Sequence, residues 1–469
     1  MFGTNRPAGR WREDNTVGSE HSVADRSGID QQDIRVLVEN GEYWLRNRGD
    51  VAMMTVTVER LRERWPHARI GVLTHQPAVL QALLPEVEPI CGPEWCWGSG
   101  SWQGRLSRTA GTKLFGPAAL RWRAATDGPK DRLRALRSSA RTHCAPDELG
   151  AEAADEGFPV EIPAAIAQSS LVLALGGGYM TDVDRYQANR TINLLERAQM
   201  LGIPTAMVGQ GLGPLRDPVL LRRATEVLPS ADFIALREGR RGPDLLTGFG
   251  VEPSRVMITG DDAVEFGYRR RGARIGTDIG LCLRVADYSK VTAAAQTTLG
   301  RVVRDRAVER DAGVVPLIIS EYASEDRLGT MPLLAGAART VSPVGRGGTA
   351  HDVARQVAGC RLLVTSAYHL AVFALSQGIP AVGITASEYY DDKFHGLAQM
   401  FGTGLRVVHL NDAALEDNLG RAIQEVWDDA PAVRDPLRQK AVEQIDASRA
   451  GLERVFRLVE SGPVRRATV

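Results

Sequence analysis

Residues 363–395 read LVTSAYHLAVFALSQGIPAVGITASEYYDDKFH, and this stretch decides the fold. Leu362, Leu363 and Val364 make a short apolar strand that ends at Thr365 and Ser366, and a helical run with Leu370, Phe373, Ala374 and Leu375 follows directly. His369 falls in the first turn of that helix. Gly378, Ile379 and Pro380 stop the helix, residues 381–384 form a second apolar strand, and a polar loop then carries Glu388, Tyr389, Tyr390, Asp391, Asp392 and Lys393. A strand, polar turn and helix is the repeating unit of an open α/β sheet. In such sheets the ligand lies beyond the carboxyl ends of the strands, where helix N-termini aim backbone N–H groups at anions. His369 is thereby placed to meet a phosphorylated or carboxylated ligand.

The same alternation runs outward in both directions. A chain of 469 residues is too long for one ordinary core, so two domains of roughly 200 residues are expected. The divisions are a disordered leader at 1–30, a first Rossmann-like domain at 31–270 and a second at 275–465, with the basic run Arg269-Arg270-Arg271-Gly272 as linker. The first strand, 34–38, runs into the loop NGEYWLRNRGD (40–50), which places Asn47 and Asp50 ahead of the helix with Val51, Met54, Val58 and Leu61. Taken alone, Asp50 reads most simply as a helix cap. Strands 171–175 and 205–208 end in the clusters Gly176-Gly177-Gly178 and Gly209-Gln210-Gly211-Leu212-Gly213-Pro214, which lets backbone approach a ligand twice on one sheet edge. Neither cluster spells GxGxxG or GxxxxGK[ST], which disfavours nicotinamide dinucleotides and ATP hydrolysis. Strand 233–236 delivers Arg237 and Glu238, strand 256–258 is followed by Asp261 and Asp262, which read as caps, and strand 279–284 ends at Arg284. A further strand is expected at 314–320. Two amphipathic segments close the chain, one with Leu415, Leu419, Ile423 and Val426 and one with Ala441, Ile445, Leu452, Val455 and Leu458. They pack on the second sheet or cross back over the first.

Composition narrows the function. Lys plus Arg equals Asp plus Glu at 57 each, so no global field argues for nucleic acid, and no apolar run reaches the ~18 residues of a membrane span. The first thirty residues carry charges throughout and no apolar core of a secretory signal. The five cysteines, at 91, 96, 144, 282 and 360, are scattered without CxxC spacing, which fits neither a zinc site nor a disulfide framework and points to a reduced, cytoplasmic protein. Between 92 and 161 the alternation breaks down. Trp95, Trp97, Trp102 and Trp122 sit among Arg105, Arg108, Arg121, Arg123, Arg132, Arg134, Arg137 and Arg141. This insertion reads equally as a solvated helix or as a segment that shapes an acceptor site or touches anionic lipid.

Several motifs in one order resemble the polysaccharide pyruvyl transferase family: NRGDVAMM (47–54), GGG (176–178), GQGLGP (209–214), LRE (236–238), TGDDA (259–263), LCLR ending at Arg284, and YHLAVFALSQGIPAVGI (368–384). The resemblance implies two Rossmann-like domains facing a cleft in the GT-B manner. It also implies transfer of a pyruvyl group from phosphoenolpyruvate, as co-substrate, to a hydroxyl pair on a cell-envelope or exopolysaccharide precursor. The family's Ser/Thr-x-Arg-Leu-His pattern is here Thr365-Ser366-Ala367-Tyr368-His369, so the family arginine is replaced by Ala367, which cannot bind an anion.

On this reading His369 is the general acid/base and Arg237 the anion clamp, with Arg284, Thr365, Ser366 and Lys393 completing the donor site. Asn47, Asp50, Gly177, Gly178, Gln210 and Gly211 line the acceptor side. No metal or further cofactor is demanded by ketal formation. The partner is a saccharide or lipid-linked saccharide, not nucleic acid, and peripheral contact with the inner membrane face and homo-oligomerisation stay open. Two alternatives share the fold: a nucleotide-sugar glycosyltransferase, whose diphosphate suits the same cleft, and a non-catalytic glycan- or partner-binding protein. His351, His395 and His409 lack a comparable setting and read as structural.

Overall fold

The computed structural model describes residues 31–91, 116, 118–126, 164–286 and 289–461. The leader at 1–30 and most of the 92–161 insertion lie outside the described residues.

The first sheet is built from β1 (Arg35–Glu39), α1 (Arg48–Arg64), β2 (Arg69–Leu73), α2 (Pro77–Leu83), β3 (Glu88–Ile90), β4 (Leu171–Ala174), β5 (Gly177–Met180), α3 (Arg185–Met200), β6 (Thr205–Leu212), α4 (Pro218–Val227), β7 (Phe233–Leu236), α5 (Gly242–Gly248), β8 (Val256–Ile258) and α6 (Ala263–Tyr268). Its order is β3-β2-β1-β4-β6-β7-β8 with β5 beside β6, and every pairing is parallel. The second sheet comprises β9 (Asp278–Cys282), α7 (Ala293–Glu309), β10 (Val314–Pro316), α8 (Glu325–Thr330), α9 (Ala350–Ala358), β11 (Cys360–Thr365), α10 (Tyr368–Gln377), β12 (Ala381–Thr385), α11 (Glu388–Phe401) and β13 (Leu405–His409). Its order is β10-β9-β11-β12-β13, again all parallel. These are two Rossmann-like domains.

Strand composition explains the layering. Val36, Val38, Leu171 and Leu173 point into one core and Leu37, Val172 and Ala174 into the other, so both faces of the first sheet are covered. A third apolar cluster joins the domains: Ala52, Met53 and Val56 of α1 and Val264 and Phe266 of α6 pack with Leu370 and Phe373 of α10. The Phe266 and Phe373 rings stack with centroids 5.6 Å apart. At ~1.5–3 kcal/mol for each large apolar side chain buried, this seam is a strong tie between the sheets.

Four local expectations change. The polar stretch at 388–393 is helical, not a loop: Tyr390, Phe394, Leu397 and Phe401 of α11 bury one stripe, and Glu388 and Asp391 suit its positive N-terminal end. The glycine clusters lie within strands, since Gly177 and Gly178 belong to β5 and Gly209, Gln210 and Gly211 to β6. The edge strand β10 stops at Pro316 because the Asp326 carboxylate takes the N–H groups of Ile319 and Ser320, at 3.1 and 2.7 Å. The two C-terminal segments are one helix, α12 (Leu415–Glu460), with Pro431 and Pro436 inside it. Leu419, Ile423 and Val426 of α12 pack on the second sheet, Leu437 and Ala441 on the seam, and Leu452, Val455 and Phe456 on the first sheet.

The topology also fixes where the site lies. The first sheet reverses its winding between β1 and β4, and the second between β9 and β11. The connections that leave those four strands carry Asn47, Gly176, Arg284 and Ser366, the crevice position for a ligand in each sheet. They meet between the domains, where the N–H of Arg48 donates to the carbonyl of Ile319 at 2.9 Å.

Candidate active site

His369 is set by a turn that the sequence encodes locally. Thr365 Oγ1 accepts from the N–H of Ala367 at 3.0 Å, which bends the chain out of β11 and starts α10. The imidazole then lies against the first turn of α1. There Asn47 Oδ1 accepts from the N–H of Gly49, at 3.0 Å, so Asn47 and not Asp50 is the cap. Gly49 has no alternative in this packing, because a Cβ there would run into Cγ and Nδ1 of His369. Asp50, the next residue, faces the ring: its Oδ1 is 3.9 Å from Nδ1. On the ring's other side Asp261 Oδ2 is 3.7 Å from Nε2. Both carboxylates come from the first domain and the imidazole from the second.

Arg237 leaves the end of β7 and is almost fully buried. Its guanidinium lies over the Tyr368 ring, 4.3 Å from the centroid, with Nη1 3.8 Å from Asp261 Oδ2. A Cβ on Gly211 would come within 2.6 Å of its Nε, so the glycine in β6 makes room for the arginine. Lys393 reaches the same place from α11. It lies over the Tyr389 ring, 3.6 Å from the centroid, and is hydrogen-bonded to the Tyr389 hydroxyl, which donates to the carbonyl of Gly178 at 2.7 Å. Arg237 and Lys393 thus converge over Gly178 from opposite domains. They line a narrow cleft with Gly211, Gly213, Glu238, Arg240, Arg241 and Asp392. Two ion pairs lie nearby, the exposed Arg216 with Glu388 at 2.7 Å and Arg241 with the largely covered Asp392 at 2.6 Å.

The electrostatics follow from burial and crowding. Burial, aided by Arg237, Lys393 and Arg284, holds the His369 pKa well below the ordinary histidine value, so the ring is neutral. Burial and then Glu42 push the Asp50 carboxyl up to about 7 against the opposing pull of Lys393 and Arg284. Burial raises Asp261 to about 6, with Arg237 opposing. Lys393 is driven well below the usual lysine range, first by desolvation and then by Arg237. Around His369, the buried polar atoms His369 Nε2, Asp261 Oδ2 and Arg237 Nε have no hydrogen-bond partner. Orphaned groups of this kind are rare in folded proteins and mark a site built to receive something.

The structure separates the expected site residues. His369, Arg237, Lys393, Asp50, Gly178 and Gly211 come together. Arg284 does not join the clamp: its Nε and Nη2 pair with the two oxygens of buried Asp326, at 2.7 and 3.2 Å, so it adds only its field. Ser366 Oγ accepts from the Arg284 N–H at 2.7 Å, and Thr365 and Asn47 shape turns. Gln210 is fully buried and its amide donates to the carbonyl of Leu175 and the hydroxyl of Tyr179, so it braces β5 instead of lining the acceptor side. Gly177 is buried against the Tyr179 ring. Asp261 was legible only as a cap, but Asp262 holds the cap position of α6; the Asp261 Oδ1 accepts from the Ala263 N–H at 2.9 Å in the turn before it, and its other oxygen is what reaches the site. Tyr368 and Tyr389 were also unassigned, and the aromatic next to each cation is the signal that could have found them.

No curated protein sequence matches the chain. Among solved structures it is similar in fold to a UDP-N-acetylglucosamine 2-epimerase (14% identity, 93% of this chain and 98% of that one, TM-score 0.52). It is also similar to the Neisseria meningitidis UDP-GlcNAc 2-epimerase bound to UDP-GlcNAc (11%, 90% and 100%, TM-score 0.52) and to a glycosyltransferase from Rickettsia africae (8%, 92% and 99%, TM-score 0.51). These likenesses establish the GT-B-like arrangement of two Rossmann-like domains about a cleft. The sequence profile described as polysaccharide pyruvyl transferase matches residues 47–388, from the Asn47 cap to the first residue of α11, and the chain belongs to that family of transferases.

Proposed function

We propose that the protein transfers the pyruvyl group of phosphoenolpyruvate to two hydroxyls of a saccharide, or lipid-linked saccharide, precursor of an envelope polysaccharide or exopolysaccharide, in the cytoplasm. The observation that carries this reading is the convergence of Arg237 and Lys393 beside a neutral His369 with a carboxyl on each side. The donor is a trianion with a carboxylate and a phosphate, and an arginine and an adjacent lysine that an arriving anion would protonate suit it in a desolvated cleft. They also supply the charge that Ala367 lacks.

The reaction sets a definite proton balance. Two hydroxyl protons leave the acceptor; one ends on the methylene carbon, which becomes a methyl group, and one departs with phosphate. Two C–O bonds form at the central carbon and its bond to the phosphate oxygen breaks. The site therefore needs a base, an acid and fixed positive charge near the leaving phosphate. His369, Asp50 and the Arg237–Lys393 pair are the groups suited to these tasks.

Calorimetric titration with phosphoenolpyruvate tests the reading, run beside uridine and guanosine diphosphates. Binding of phosphoenolpyruvate that disappears in Arg237→Ala is expected. Binding of a nucleotide alone would overturn it in favour of a nucleotide-sugar glycosyltransferase.

A further inference from the structure

His369 is flanked on both ring nitrogens, and the two flanks differ. Asp261 is behind the ring: its side chain is 1% exposed, and the N–H of Ala263 fixes Oδ1 so that Oδ2 is turned toward Nε2. Asp50 is on the more open side, with a side chain 19% exposed and Oδ1 toward Nδ1. The two atoms facing each other behind the ring, Asp261 Oδ2 and His369 Nε2, are both buried without a hydrogen-bond partner. Their 3.7 Å separation exceeds a hydrogen bond by less than an ångström, a gap of the size that catalytic pairs close on binding.

We propose that Asp261 is a positioning residue that holds His369 in the tautomer protonated on Nε2, leaving the Nδ1 lone pair and the Asp50 carboxyl, on the ring's more open side, as the working proton pair. A buried carboxylate behind an imidazole sets its tautomer in this way in other hydrolytic and transfer sites. The proposal rests on the pyruvyl-transfer reading for its chemistry. When an acceptor hydroxyl attacks, its O–H bond breaks, its proton goes to Nδ1 and its electron pair forms the new bond to carbon. The methylene carbon takes its proton from the Asp50 carboxyl. The proton on Nδ1 then passes to the Asp50 carboxylate, which restores both groups, and the second hydroxyl proton leaves with phosphate. Lys393, Arg284 and Glu42 are the other charged groups that bear on Asp50, and Arg237 bears on Asp261.

The substitution Asp261→Asn tests the tautomer directly. The Ala263 N–H retains the side-chain oxygen, so the amide NH₂ takes the place of Oδ2. It presents a donor to Nε2, which forces the proton to Nδ1 without loss of the turn contact to Ala263. The readout is the ¹⁵N signal of the His369 ring in the full-length chain labelled at histidine, identified by its disappearance in His369→Gln. A neutral ring protonated on Nε2 in the wild type, and on Nδ1 in Asp261→Asn at an unchanged melting temperature, is the expected result. A wild-type ring protonated on Nδ1, a charged ring at pH 7, or the same tautomer in both proteins would overturn the proposal. A second variant, Asp261→Ser, removes the acceptor without supplying the amide donor and is expected to give a mixture of tautomers; a ring still wholly protonated on Nε2 would also count against it. In a transfer assay with phosphoenolpyruvate, Asp261→Asn is expected to lower turnover ~10²-fold or more with phosphoenolpyruvate affinity retained. Absence of donor binding in the wild type would sink the pyruvyl-transfer function, whereas the tautomer swap decides the role of Asp261 in either case.

Discussion

Gly49 and His369 touch face to face across the domain seam, with no room for a side chain between the start of α1 and the imidazole. Helix geometry at position 49 is ordinary, so the glycine serves the close approach and not an unusual backbone angle. Gly49→Ala should therefore keep the fold and displace the ring. A shift of about 1 Å at a reacting group costs ~10²-fold, so transfer activity should fall by that order, while the overpacking lowers stability by only ~1–3 kcal/mol. Rate and melting curve measured on the same preparation check this; full activity would mean that the ring is free to move aside.

Arg237 and Arg284 should separate as ligand clamp and scaffold. Arg284 is tied to Asp326, which is fully buried and also holds two backbone N–H groups. Arg284→Ala leaves that carboxylate uncompensated and should cost ~3–5 kcal/mol of stability, seen in denaturant unfolding. Arg237→Lys keeps a charge but loses the planar stack on Tyr368 and the bidentate fork. It should unfold at nearly the wild-type denaturant concentration yet raise the KM for phosphoenolpyruvate at least ~10-fold.

Most of the architecture could be read from strands such as 171–174 and 362–364, because a strand buried on both faces must be apolar throughout, and polar turns then mark the ligand edge. His369 and Arg237 were legible for the same reason: each follows directly on such a strand. What was not legible depended on partners far away in the chain. Arg284 looks like a free cation until Asp326 folds onto it, 42 residues on. Gln210 resembles a loop residue because it lies between glycines, yet β5 pairs alongside and buries it. The helix α11 was hidden because its solvent face, with Glu388, Asp391 and Asp392, outweighs the buried stripe of Tyr390, Phe394 and Leu397 in a short window. Asp261 shows a further limit, since the turn contact with Ala263 and the approach to His369 engage different oxygens of one carboxylate.

Asp50 should be held in the site at a cost to stability. Its folded pKa of about 7 lies above the unfolded value near 3.8, so the folded state binds the proton more tightly and stability falls as pH rises between those values. Asp50→Asn has no such charge to bury. The variant should match the wild type near pH 4 and exceed it at pH 8 by on the order of 2 kcal/mol, a figure reduced from the full linkage value for partial exposure. Denaturant unfolding at the two pH values measures the difference. A variant less stable at pH 8 would show that the ionised carboxylate is a net tie to Lys393.

Lys393 should report ligand charge through its proton. Burial and the neighbouring Arg237 disfavour its ammonium form, so the folded pKa lies well below the unfolded lysine value in the empty site. An anion bound between Arg237 and Lys393 reverses that field and raises the pKa, and the amine must take up a proton as the anion arrives. Phosphoenolpyruvate binding at pH 8 should then show uptake of up to one proton per site, measured as a dependence of the apparent enthalpy on the ionisation enthalpy of the buffer. Affinity should decline as pH rises above neutrality. Lys393→Met fills the stem volume but cannot be protonated; it should abolish the buffer dependence and weaken binding at least ~10-fold, whereas an unchanged proton count would place the anion elsewhere in the cleft.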